Sequence, residues 1–369
     1  MRVFYDHQIF CEQAFGGISR YFYELIKGAQ EMNLYTPIND VLYTENVFSQ
    51  LLQPDDHWLT HAKFKGKKDI VRLINLFYTQ YKVRQTEFDI FHPTYFNQSA
   101  LKNRQGKPMF ITVLDMIDEK YHVGQKRFSK LIRHRKKIIH AADHIIAISE
   151  NTRQDIIAHF QIDPNKVTTI HLASSLEAED IAACAKNIET PPYILFIGSR
   201  KGVHKNFNNY LQALSLIAKE EKELRFVFGG GGDFTESETL AIAQAGLTTR
   251  VKYEPIRNDQ DIIRLYKNAT LLVYPSLYEG FGLPLVEAFS CGVPCVTAKG
   301  SCLEEVGGDA ARYFDPLNPA EIAAITVDML SNPKECETFV AKGYERAQLF
   351  TWKNTVIKTD ALYREFLGN

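Results

Sequence analysis

The sequence predicts an α/β protein built from two doubly wound domains. Three observations carry this. Short apolar runs rich in β-branched and aromatic residues alternate with longer segments of helical period. The alternation pauses once and then restarts. The length, 369 residues, suits two domains of ordinary size.

The first series of runs is Arg2–Asp6, Asp89–His92, Met109–Leu114, His144–Ile148 and Val167–His171. The second is Tyr193–Gly198, Leu224–Gly229, Leu271–Tyr274 and Pro294–Thr297. Near-continuous apolarity is expected of strands buried on both faces of a parallel sheet. Helical patterns such as Ile18–Ala29 and Phe207–Ala218 lie between the runs and would cover the sheets. The pause falls between Ser174 and Pro192 and ends in Thr190-Pro191-Pro192, which stops a helix. The expected organisation is a first domain at 1–175, a linker at 176–192, a second domain at 193–350 and a terminal helix at 351–369. Thr351 is the expected N-cap of that helix. A cleft between the domains is the expected place for ligands.

Composition narrows the function. A 45% hydrophobic and 24% charged chain is neither disordered nor fibrous. The six cysteines form no CxxC pair, so neither a zinc site nor a disulfide framework is expected. The start, MRVFYDHQIF, lacks a signal-peptide pattern, and no run of apolar residues is long enough to span a membrane. A cytoplasmic protein with reduced thiols is expected. A formal net charge of −1 gives no support for a nucleic-acid binder.

The most specific string is YPSLYEGFGLPLVEAFSCG at 274–292. Pro284 suits the first turn of a helix and Gly292 its end, so a short helix from Leu285 to Cys291 is expected after a glycine-rich turn. Such a terminus favours an anion, phosphate above all. Glu279 on the turn and Glu287 on the helix could grip hydroxyls at two places along one ligand. A Glu pair alone is more often incidental. The whole string, however, resembles the E-x7-E motif of family 4 retaining glycosyltransferases, and the resemblance extends over nearly the whole chain. It implies a GT-B fold, with two Rossmann-like domains facing across a cleft and a C-terminal helix crossing back to the first. It also implies that Glu279 holds the donor sugar and has a catalytic role, that Glu287 holds the ribose, and that backbone near Phe281, Gly282 and Leu283 contacts the sugar.

Other segments fit the same resemblance. Arg200 follows the first strand of the second domain and Lys205 lies in the next loop, at strand ends where α/β proteins bind ligands. Together with the terminus near Leu285 they are the expected diphosphate site, with Lys201 beside Arg200 leaving an adjacent-residue ambiguity. Preorganised cations and N–H dipoles would stabilise the leaving diphosphate, so neither a metal nor a cofactor is expected. Asp259 is expected to cap a helix at Asp261–Asn268 rather than bind a metal. The glycine run Gly229–Gly232 lacks the Gly-Lys-Ser/Thr of a P-loop and reads as a flexible turn on the nucleotide side.

In the first domain Gly16 and Gly17 precede the helix from Ile18. They match the family loop that reaches the donor phosphates. Many members have His-Asp after the strand at 109–114, but here Leu114 stands at the His position and only Asp115 remains. Asp115 is either catalytic or a turn cap. His92 could approach the site, though a lone His is more often structural.

The small net charge hides an imbalance. Residues 61–137 hold 18 Lys and Arg against 6 Asp and Glu, a net of +12, so the rest of the chain sums to −13. The densest part, KRFSKLIRHRKKIIH at 126–140, places Phe128, Leu131, Ile132, Ile138 and Ile139 at helical spacing. It reads either as a packed helix with a solvated basic face or as a contact for an anionic membrane surface.

The expected function is retaining, metal-independent transfer of a sugar to a glycan or lipid-linked glycan, with the acceptor on the first-domain side. The resemblance favours mannose or rhamnose, a GDP-sugar donor and bacterial surface polysaccharide synthesis, with peripheral attachment at the inner face of the membrane. The alternatives are a nucleotide-sugar epimerase or hydrolase on the same fold, and a glycan-binding protein with a decayed site.

Overall fold

Every strand pairing among the described residues is parallel. The computed structural model describes residues 1–54, 57–187 and 189–368. They form two units. Unit 1 takes Met1–Leu172 together with the chain from Trp352 onward, and unit 2 takes Ala173–Thr351.

Unit 1 holds β1 (Arg2–Tyr5), β2 (Thr36–Asn39), β3 (Ile90–His92), β4 (Phe110–Val113), β5 (His144–Ala147) and β6 (Val167–Thr169). They run in the orders β2-β1-β3 and β4-β5-β6, and a parallel bridge from Phe91 to Met109 joins the two sets. The core strands are apolar on both faces, as in Phe-Ile-Thr-Val of β4 and His-Ile-Ile-Ala of β5, and all eight residues are buried. The helix Trp352–Leu367 completes this unit. Its Tyr363 is fully buried and bonds Tyr5 Oη at 3.2 Å and His92 Nδ1 at 2.5 Å. Thr355 of the same helix donates to the His171 carbonyl at 2.8 Å.

Unit 2 holds β7 (Tyr193–Ile197), β8 (Arg225–Gly229), β9 (Val251–Glu254), β10 (Leu271–Tyr274), β11 (Cys295–Ala298) and β12 (Ala311–Phe314) in the order β12-β11-β10-β7-β8-β9. The chain order reverses between β7 and β10, and the carboxyl ends of strands at such a switch point form the usual ligand crevice.

The structure differs from the sequence reading at identifiable places. Strands β2, β9 and β12 were not expected, and all three are sheet edges. The segment expected as linker contains a helix, Ala178–Ala183, that belongs to unit 2. The helix expected to be capped by Asp259 is Asp259–Asn268, and its cap is Asn258, whose side chain accepts from Asp261 N at 3.0 Å. Asn has the cap residue's short acceptor one position earlier. That frees Asp261 to pair with Arg257 and Arg264 at 2.9 and 3.2 Å.

Candidate functional site

The glycine-rich turn and its helix lie directly after β10. The helix is Leu283–Ser290, beginning two residues before the expected Leu285, with Pro284 in its first turn. Gly282 caps it at φ +87°, a conformation that L side chains rarely adopt, and a Cβ there would meet Leu303 Cδ2 at 2.7 Å. A helix start leaves its first-turn N–H groups without intrahelical partners, but Pro284 has no N–H to offer. Leu285 N is itself bonded to the Gly282 carbonyl at 3.0 Å. Phe281 is buried edge-on to Phe350, with ring centroids 5.4 Å apart, which fixes the turn beneath.

Two loops meet here. Leu277 N donates to the His204 carbonyl at 2.7 Å, and Asn206 Nδ2 donates to the Pro275 and Pro316 carbonyls at 3.1 and 2.6 Å. Asn206 sits at φ +58°, which Asn tolerates better than most residues. These bonds bring Lys205 to Glu279: Lys205 Nζ lies 2.6 Å from Glu279 Oε1. The same oxygen accepts from Tyr274 Oη at 2.8 Å. Burial, and then the Glu279 carboxylate, push Tyr274 well above the usual phenol range, so it acts as a neutral donor. Ser301 Oγ accepts from Glu279 N at 3.0 Å and donates to its carbonyl at 2.8 Å. Glu279 is thus held at both backbone and side chain.

Glu287 lies on the helix, half-buried, with Oε2 accepting from Tyr266 Oη at 2.9 Å. The structure accordingly gathers Lys205, Glu279, Phe281, Gly282, Leu283, Leu285 and Glu287 around one strand end of unit 2.

Arg200 departs from expectation. All three guanidinium nitrogens are engaged: Nε with Glu238 at 2.9 Å, Nη1 with the Gly230 carbonyl at 3.0 Å, and Nη2 with the Gly232 and Asp233 carbonyls at 2.6 and 3.2 Å. Its guanidinium also lies over Phe234, 4.7 Å from the ring centroid. The reason is the glycine run. Gly230, Gly231 and Gly232 all have positive φ, between +74° and +83°, and a Cβ on Gly231 would meet the Gly198 carbonyl at 2.8 Å. A planar guanidinium can satisfy several carbonyls of such a turn at once. The turn is therefore clamped rather than flexible. Burial pushes Glu238 up, but hydrogen bonds from Thr235 and Arg200 outweigh it and hold the carboxyl below its ordinary range. Lys201, the alternative, is exposed.

In unit 1 the helix Gly17–Glu31 opens at Gly16. Asp115 performs the turn-capping role, with Oδ1 accepting from Ile117 N at 3.0 Å. Arg135 of the basic helix donates to its carbonyl and approaches Asp118 and Glu119 at 3.9 and 3.3 Å. His92 is structural: fully buried, with Nε2 3.1 Å from Thr112 Oγ1 and a pKa pushed down to about 3 by burial. Sequence reasoning missed Asn206 and Ser301. The signal for Asn206 was its place directly after Lys205 at a helix start, whereas Ser301 had none.

Comparison with known proteins decides the family. The model for glycosyl transferases group 1 matches residues 178–346, and that for glycosyltransferase family 4 matches residues 15–177. The chain belongs to the family 4 glycosyltransferases. The O-antigen chain mannosyltransferase B of Escherichia coli is 31% identical over 63% of this chain and 64% of that relative. The MMP alpha-(1->4)-mannosyltransferase of Mycolicibacterium hassiacum is 26% identical over 77% of this chain and 72% of its own length. Among solved structures, the sucrose-phosphate synthase of Thermosynechococcus elongatus matches with a TM-score of 0.76 at 16% identity, over 100% of this chain and 99% of that one. Anabaena HepE in complex with UDP and glucose gives 0.72 at 18%, over 99% and 100%. The fold is GT-B, with two Rossmann-like domains. Among the described residues no helix is long and apolar enough to cross a membrane.

Proposed function

We propose that this glycosyltransferase moves a sugar, with retention of configuration, from a nucleoside-diphosphate sugar to a hydroxyl of a glycan or lipid-linked glycan. The observation that carries the reading is the Lys205–Glu279 contact at 2.6 Å beside the Gly282 helix terminus. An ammonium suited to phosphate oxygens and a carboxylate suited to sugar hydroxyls are held together at a strand end. Glu279 would hold the donor sugar with backbone at Phe281, Gly282 and Leu283, and Glu287 the ribose. Lys205 and the positive end of the helix near Leu285 would stabilise the departing diphosphate, without a metal. Arg200 would act through the glycine turn it clamps. In unit 1, Gly16 and Gly17 open a helix terminus of the kind that favours negative charge. Asp115, as a turn cap, would order the loop after β4 on the acceptor side.

Two relatives whose names specify mannosyl transfer support mannose, and hence a GDP-sugar donor. Surface polysaccharide synthesis at the inner face of the membrane would follow, with peripheral attachment. A thermal-shift screen of nucleotide sugars tests the donor. Glu279→Ala should lower transfer about a hundredfold or more with the melting temperature nearly kept; near-normal turnover would sink the assignment. Product formed without any acceptor would favour a hydrolase or epimerase. Tight donor binding with no turnover would favour a glycan-binding protein.

A further inference from the structure

The helix Lys67–Gln85 in unit 1 is inverted for a surface helix. Its buried positions are Lys67, Val71, Asn75, Thr79 and Val83, and the three polar ones are matched by partners. Lys67 donates to the Thr60 carbonyl at 2.7 Å, Asn75 accepts from Leu42 N at 2.8 Å, and Thr79 bonds His7 Nδ1 at 2.7 Å. The large apolar residues face outward instead. Ile70, Leu73, Phe77 and Tyr81 are 46%, 53%, 62% and 60% exposed. Their spacing of three, four and four places them on one stripe, about 16 Å long. Single exposed apolar residues are ordinary, but four in register mark a contact surface.

Charge surrounds this stripe. A groove of about 290 Å³ has Leu73 and Leu76 on one side and Leu131 and His134 of the basic helix Lys126–Ala141 on the other. That basic helix contains no Asp or Glu, and Lys130, Arg133 and Lys137 are exposed. Burial, and then those three cations, depress the His134 pKa, so they lie close to the groove wall. On the apolar helix the one acid is Asp69, which pairs with Arg72 at 3.4 Å.

We propose that this face of unit 1 docks on an anionic lipid bilayer. Ile70, Leu73, Phe77 and Tyr81 enter the boundary between headgroups and acyl chains, and Lys130, Arg133 and Lys137 meet lipid phosphates. The charge argues against the rival occupant, a second copy of this chain, because self-pairing would bring two basic helices together. The inference rests on the membrane-attached reading above for its purpose, but its test needs neither donor nor acceptor.

The full chain is floated with vesicles of phosphatidylcholine alone and of phosphatidylcholine with phosphatidylglycerol. Binding is expected to the anionic vesicles and to weaken as salt rises. Leu73→Ser with Phe77→Ser should lower the partition coefficient about tenfold or more. Lys130→Gln and Lys137→Gln should each lower it about fivefold. All these positions are surface-exposed or half-wet, so far-UV circular dichroism and donor-induced thermal shift should not change. No binding to anionic vesicles, or equal binding by the serine double variant, overturns the proposal. So does sedimentation velocity that shows a dimer lost in Phe77→Ser. If the wild type binds vesicles as expected but transfers no sugar, the transferase reading fails and the docking surface stands.

Discussion

At the end of β10 the hydroxyl of Tyr274 reaches Glu279 and, through it, Lys205; at the end of β3 the ring of His92 reaches Tyr363 and Thr112. Both strands lie directly beside the first strand of their sheet, β7 in unit 2 and β1 in unit 1. The same place in two related sheets has been filled in opposite ways. Unit 2 places a cation and a carboxylate there, with side chains 14% and 11% exposed. Unit 1 uses neutral groups, all buried, and covers them with the helix Trp352–Leu367. Tyr5, Tyr35, Tyr363, His92, Thr112 and Tyr21 form one chain of hydrogen bonds there. A strand end at a switch point is thus an opportunity for binding, and whether it becomes a site depends on what is packed over it.

The comparison can be broken by substitution. Tyr363→Ala removes a fully buried ring and leaves His92 and Tyr5 short of a partner. It should cost about 3–5 kcal/mol of stability by denaturant unfolding while nucleotide-sugar binding by the native fraction is kept. Lys205→Ala should do the reverse, lowering the transfer rate about 10²–10³-fold with a small change in melting temperature. If both variants lose stability alike and neither loses activity selectively, the two strand ends do the same job and the contrast fails.

A pH series sharpens the same contrast. His92 is held neutral in the folded state with a pKa pushed down to about 3 from an ordinary 6.5. Below 6.5 the unfolded chain therefore binds a proton that the folded chain refuses. The stability from His92 is fully present above 6.5 and falls as pH drops toward the folded value. By pH 5 the loss is about 2 kcal/mol. Comparing chemical denaturation of wild type and His92→Gln at pH 7 and pH 5 should show a smaller drop in the variant; equal drops would remove His92 as the cause.

Much of this was legible in the residues. Strands buried on both faces announce themselves as apolar runs, and all those expected were found within a residue or two. The three that escaped are edges. Thr-Pro-Ile-Asn, Val-Lys-Tyr-Glu and Ala-Arg-Tyr-Phe mix polar and apolar residues because an edge is partly wet, so the run that betrays a central strand is absent. At the site, Glu279, Glu287, Gly282 and Lys205 could be named because they fall within one short string or one loop. Ser301 could not, because it reaches Glu279 from 22 residues away. Arg200 was named for the charge it carries; its task depends on where three carbonyls of a glycine turn point, which no spacing of residue types encodes.

The closing helix also imposes an order on the molecule's making. Tyr5 and Tyr363 are 358 positions apart, so unit 1 cannot seal its strand ends until nearly all of these residues have left the ribosome. Unit 2 is continuous from Ala173 to Thr351 and has every one of its strands before that helix exists. Domains tend to fold as units during synthesis. Unit 2 is then able to form while the earlier-made unit waits, with the strand end at His92 uncovered, for its last piece. A chaperone that recognises exposed aromatic surface would meet this protein at that stage, and on unit 1.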